Sequence, residues 1–223
     1  MITSVVRANL LVTIVFLVNC SAAQSQSFDK SKPSGRACIG VVNSLNGDEE
    51  ALRARATVGP HQKVVAHLDA TAKCEALVAI FTRSGQVIPG WRPQFVDVTA
   101  RNEVLLPRAP VSWTWEKDTG PFEAYVLFFA PGSKDGGEIR ALVNAMQGTR
   151  DEAVLRLQGN KLRELIGRAK VDKAAAQRAP KPDSEVAGTM RMVVGFEWRD
   201  SARAVNFAAD KPGALIFPAA DGR

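Results

Sequence analysis

The sequence predicts a mainly β domain with a helical insertion (α+β), an antiparallel sandwich-like or barrel-like fold with one long helix before its last two strands. Three observations predict it. Short apolar stretches recur between residues 37 and 129, separated by turn formers such as Gly59-Pro60, Ser84-Gly85, Pro89-Gly90 and Thr119-Gly120-Pro121; that spacing suits antiparallel strands. The period then changes: no proline occurs from 151 to 179, and Leu162, Leu165, Ile166 and Ala169 fall on one helical stripe. Strict alternation returns in MRMVVGFEW (190–198).

The elements follow in chain order. Residues 1–23 read as a secretory signal peptide: Arg7 without acids, an apolar run over 8–18, then Ser21, Ala22 and Ala23. The apolar run is shorter than the roughly 20 residues a spanning helix needs. Two endings compete in LVTIVFLVNCSAAQSQS (11–27), cleavage after Ala23 and lipid attachment at Cys20. Asn19 stands where a lipid-attachment motif wants a small residue, which favours cleavage and a periplasmic chain over one lipid-anchored through Cys20.

Residues 24–36 are polar with Pro and Gly and read as a flexible lead-in. A β-rich domain is expected over 37–132, with strands at 38–42, 63–68, 76–82, 95–98, 104–106, 111–115 and 122–129. In the sixth of these, Val111, Trp113 and Trp115 share one face, so that face is buried. The stretch 122–129 is apolar on both faces, the mark of a central strand. A helical segment covers 133–183, with a short helix near 138–146 stopped at Gly148 and a long one over 151–179. The prolines of APKPD (179–183) end it. Residues 184–223 supply the strands 190–198 and Gly213–Pro218 that complete the domain.

Composition bounds the class more than the function. The chain is 46% hydrophobic and 23% charged, as in ordinary globular proteins. A net charge of +6 attracts it to anionic surfaces without naming one. With Cys20 removed or lipidated, Cys38 and Cys74 remain as a pair in an oxidising compartment, and a structural disulfide between them is expected. Such a bridge would contribute about 3–4 kcal/mol on a loop-entropy argument.

The patterns for several chemistries are missing. There is no Gly-x-Ser-x-Gly elbow. The two histidines are His61 and His67, and His67 sits in an apolar strand beside Val64, Val65 and Leu68, where a packed or surface histidine is the expectation. His61, His67, Cys38 and Cys74 lack metal-ligand spacing, so neither a metal nor a cofactor is expected. GSKDGGE (132–138) reads as a loop before a helix rather than a phosphate cradle. The acidic run Asp48-Glu49-Glu50 reads as a solvated turn.

Two stretches are candidates for binding. PGWRP (89–93) sets Trp91 and Arg92 in a turn, either open to a ligand or capping the core edge. Residues 150–181 hold nine Lys or Arg against four Asp or Glu, and Arg163, Arg168 and Lys170 define a face for an anionic partner or membrane surface. A solvated helix face is the alternative. Nucleic acid is not expected, because no aromatics interleave those cations.

Four stretches taken together resemble a bacterial domain of unknown function found in exported and membrane-tethered proteins, often beside kinase, caspase-like or tetratricopeptide modules. They are VGPHQKVVAHLDA (58–70), ALVAIFTRSGQVIPGW (76–91), NEVLLPRAPVSWTW (102–115) and GPFEAYVLFFA (120–130). The resemblance implies a β-sandwich-like module without established catalysis. The leading functional expectation is therefore an exported, non-enzymatic envelope module that binds a protein or polysaccharide partner. Its rivals are an exported carbohydrate-active or peptidoglycan-modifying enzyme, and a structural subunit docking through the basic helix.

Overall fold

Two antiparallel sheets pack face to face, and a helical hairpin lies on the outer side of one of them. The computed structural model describes residues 29–52, 58–88, 90–114, 121–169, 177–178 and 198–218. The expected signal peptide with Cys20, the alternating stretch 190–197, Trp115 and Lys170 lie outside the described residues.

The strands in chain order are β1 (Ser34–Asn43), β2 (Glu49–Ala51), β3 (Gln62–Ala70), β4 (Cys74–Thr82), β5 (Gln94–Val98), β6 (Val104–Leu106), β7 (Trp113–Thr114) and β8 (Phe122–Phe129). Helices α1 (Lys134–Gly148) and α2 (Glu152–Arg168) follow, then β9 (Gln177–Arg178), the one-turn α3 (Trp198–Ser201), β10 (Arg203–Asn206) and β11 (Gly213–Pro218). The first sheet runs β6-β3-β1-β10-β9, with β2 also on β1 and β7 also on β3. The second runs β11-β8-β4-β5.

Alternation decides which side chains meet between the sheets. Ala37, Ile39 and Val41 of β1 and Val64, Ala66 and Leu68 of β3 point inward. They meet Ala76, Val78 and Ile80 of β4 and Phe122, Ala124, Val126 and Phe128 of β8. The opposite residues of the second sheet, including Leu77, Phe81, Leu127 and Phe129, are buried again, under Ile139 and Val143 of α1 and Leu162 and Ile166 of α2. Strand β8 is thus apolar on both faces because it is covered on both, and it lies between β11 and β4 as its composition predicts.

Capping fixes where the helices begin. The Ser133 hydroxyl accepts from the Gly136 amide at 3.2 Å, and the Asp151 carboxylate accepts from the Ala153 amide at 2.8 Å. Helix α2 comes close enough to the 87 region that a Cβ on Gly159 would overlap Val87.

Three expectations need correction. Helix α2 ends at Arg168, where the Ala169 amide closes on the Leu165 carbonyl at 3.1 Å, and Gln177–Arg178 pair as strand with β10. The apolar stripe stops at Ala169, and its next position in the sequence is the charged Lys173. The lead-in is ordered from Asp29: residues 34–36 belong to β1, and the Asp29 amide donates to Asn206 Oδ1 at 2.9 Å. Trp198 opens α3 rather than closing a strand.

Candidate functional site

The first candidate from the sequence, Trp91 with Arg92, closes one end of the sandwich. Trp91 is 2% exposed. Its indole N–H donates to the Thr114 carbonyl at 2.8 Å, and its ring meets Phe122 edge-on at 5.3 Å. Arg92 donates to the Thr149 carbonyl at 3.0 Å, and its own carbonyl accepts from the Trp113 indole at 3.2 Å. Of the two readings of Trp91, the structure has the one that caps the core edge: the ring is buried and its indole N–H is satisfied by a backbone carbonyl.

The second candidate, the basic helix, is only partly available. Arg163 leans on the Ser84 carbonyl at 3.4 Å, and Arg168 pairs with Glu164 one turn back on α2. Among the described residues of α2, Arg156 and Lys161 make no contact of this kind. They flank Leu157, 71% exposed, and Val154, 39% exposed.

A third cluster lies on the outer face of the first sheet, and sequence reading did not find it. Alternation along β1 and β3 sends Arg36, Cys38, His67 and Asp69 to that face, with Cys38 opposite His67 and Arg36 opposite Asp69. His67 is 7% exposed and lies between two carboxylates. Its Nε2 is 2.6 Å from Glu49 Oε1, and its Nδ1 is 2.9 Å from Glu103 Oε1. Of the acidic run read as a solvated turn, Asp48 is exposed at the turn, whereas Glu49 and Glu50 open β2, and Glu49 reaches across β1 to the imidazole. It passes over Gly40, where a Cβ would stand on Glu49 Oε1.

Helix α3 closes the cluster from above. Trp198 stacks on His67 with ring centroids 5.3 Å apart and planes 17° apart. Arg199 reaches Glu103 at 3.4 Å and Asp69 at 3.8 Å. Asp69, 2% exposed, also takes both arms of the Arg36 fork, the Nε contact being 2.6 Å. The Trp198 indole N–H lies by Glu103 without reaching hydrogen-bonding geometry.

Burial pulls the His67 pKa down, but the hydrogen bonds and charges of Glu49 and Glu103 outweigh it and hold it above the ordinary 6.5. Burial pushes the Glu103 carboxyl up, and His67, Trp198 and Arg199 together outweigh that and hold it below the ordinary range.

The cysteines differ from the expectation. Cys38 and Cys74 are free thiols in the structure. Cys38 packs outward with Trp198 and Ala202, whereas Cys74 points into the sandwich interior, so a layer of the first sheet separates their side chains. Burial pushes each thiol up to about 12, so neither is a poised nucleophile. Both are expected to resist iodoacetamide in the folded protein and to take one adduct each on unfolding without reductant. Intact mass checks this, since a bridged pair would stay unmodified until reduced.

Among the described residues, no group of three or more His, Cys, Asp or Glu side chains is placed to hold a metal ion. Among the same residues, no helix is long and apolar enough to cross a membrane. Together these elements define a mainly β sandwich with a helical hairpin on one sheet and a polar cluster on the other. Set against models of known protein families, curated proteins and solved structures, the chain matches none of them.

Proposed function

We propose that the chain is an exported, non-enzymatic module of a bacterial cell envelope that docks an acidic protein partner through the solvent side of its helical hairpin. The observation behind this reading is the split character of α2. One stripe, Leu155, Leu162 and Ile166, is buried against the second sheet. The other leaves Leu157 and Val154 exposed beside Arg156 and Lys161. Apolar contacts beside two cations suit a protein surface with an apolar centre and an acidic rim. A polysaccharide offers less for Leu157 to bury, which is why a protein is preferred.

Export rests on the order of basic, apolar and small residues in 1–23, and the resemblance to exported and membrane-tethered modules agrees with it. Site-specific photocrosslinking from position 157 in intact cells tests the docking face. The expected result is a defined crosslinked protein, lost when Arg156 and Lys161 are both changed to Glu and retained when Arg163 is changed instead. Crosslinks that survive the double charge reversal overturn the reading. Binding to vesicles of anionic lipid with the same charge dependence, and no protein adduct, would assign the face to a membrane surface instead.

A further inference from the structure

We propose that the imidazole of His67 is a proton-operated latch that holds the α3 turn on the outer face of the first sheet. An ionised carboxylate only accepts, and a neutral imidazole has one N–H and one bare nitrogen. Both ring nitrogens of His67 face carboxylate oxygens, Glu49 at 2.6 Å and Glu103 at 2.9 Å. Both contacts are satisfied together only by the imidazolium. Removing the proton turns one of them into a lone pair against a negative oxygen, in a site that is 7% exposed.

The charged neighbours come from every element packed on the ring. Strand β2 supplies Glu49, and the residue before β6 supplies Glu103. Strand β3 itself supplies Asp69, held by Arg36 of β1. Helix α3 supplies Arg199, which touches Glu103 and Asp69. Cys38 of β1 lies opposite, within the field of Glu49 and of Arg203 on β10. The imidazolium is the cation between Glu49 and Glu103, and Trp198 rests directly on it. Glu103 holds both His67 and Arg199, so a change at the ring reaches the turn through two contacts.

The direction with pH follows. The folded His67 pKa is raised, so its contribution is complete below the ordinary 6.5 and is lost as pH rises through the higher folded value. The folded Glu103 pKa is lowered, so its contribution is complete above the ordinary 4.5 and is lost as pH falls through the lower folded value. The latch is closed between the two folded values and opens on the alkaline side by loss of the His67 proton.

Cys38 reports on the turn, because Trp198 and Ala202 cover it, while Cys74 in the interior serves as the internal reference. Burial pushes both thiols up, and dividing by the Cys74 rate corrects for reagent and for opening of the whole domain. Peptide mass spectrometry of the full chain gives that ratio from pH 5 to pH 10. The expected result is a flat ratio at acid pH and a rise on the order of tenfold as His67 deprotonates, the size set by one charge-assisted hydrogen bond.

Glu49→Gln is expected to flatten the profile, because an amide can accept from or donate to the neutral ring. His67→Phe is expected to give a high ratio at every pH. A flat wild-type profile overturns the latch, and so does a rise unchanged in Glu49→Gln. Should His67→Phe not fold, nitrogen NMR of wild-type His67 decides. Two protonated ring nitrogens at pH 6 are expected, and a single neutral tautomer there overturns the latch.

Discussion

Replacing Trp91 by alanine is expected to lower stability by about 3–5 kcal/mol, or roughly 6–20 °C in Tm for a domain of this size. The ring is 2% exposed, lies edge-on to Phe122 at 5.3 Å and belongs to the apolar cluster between the sheets. Truncation opens a cavity at the end of the sandwich and leaves the Thr114 carbonyl without the donor it holds at 2.8 Å. Trp91→Phe separates the two terms, because it restores most of the volume and not the N–H; a loss of about 1 kcal/mol from the missing hydrogen bond is expected. Thermal unfolding followed by circular dichroism measures both. A ligand-binding tryptophan predicts the reverse, namely an alanine variant of unchanged Tm.

The two outer faces of the sandwich are closed by different physics. Over the second sheet, helices α1 and α2 bury apolar stripes, and one ion network pins the edge: Arg140 contacts Glu75 at 2.8 Å and Asp97 at 2.6 Å while lying over the Phe95 ring. Over the first sheet, a single turn of helix covers charged groups. Apolar burial is non-directional and insensitive to pH, whereas the first sheet's outer face depends on which of its groups carry protons. The docking proposal and the latch proposal therefore sit on opposite sides of the molecule and stand or fall separately.

Sequence periodicity locates what local patterns control. Strands β6, β8 and β11 coincide with the expected stretches 104–106, 122–129 and Gly213–Pro218, because each carries its own apolar run between turn formers. Helix α1 begins a turn earlier than expected, since its start is set by the Ser133 cap rather than by an apolar residue. Strands β2, β9 and β10 carry no apolar run of their own between turn formers, unlike the equally short β6, and they pair with the edges that β1 and β10 present. The His67 cluster was illegible for a related reason. Its members come from β1, β2, β3, the residue before β6 and α3, and only the paired register of Cys38 with His67 and of Arg36 with Asp69 brings them together. The local trace is a polar His67 and Asp69 at alternate positions of a strand whose other face is apolar from Val64 to Ala70.

The same cluster carries the other large expected effect. Asp69→Ala is expected to cost about 3 kcal/mol, because it strips Arg36 of both its contacts and Arg199 of one. The carboxylate is 2% exposed while the two guanidinium side chains keep 25% and 26% of their surface. Water can therefore partly resolvate the cations, which places the figure at the low end for a broken buried pair. The loss comes chiefly from stranded charge, so removing the partner as well should recover part of it. Arg36→Met with Asp69→Leu is expected to be more stable than Asp69→Ala alone, since the pair then becomes apolar surface between strands. Urea unfolding of wild type, Arg36→Met, Asp69→Leu and the double variant closes the cycle, with Asp69→Ala measured beside it and unchanged m-values required for the comparison. A double variant no more stable than Asp69→Ala would trace the loss to packing around Ala70 and Thr71 instead of to the ion pair, and a single variant within 0.5 kcal/mol of wild type would remove the pair from any structural role.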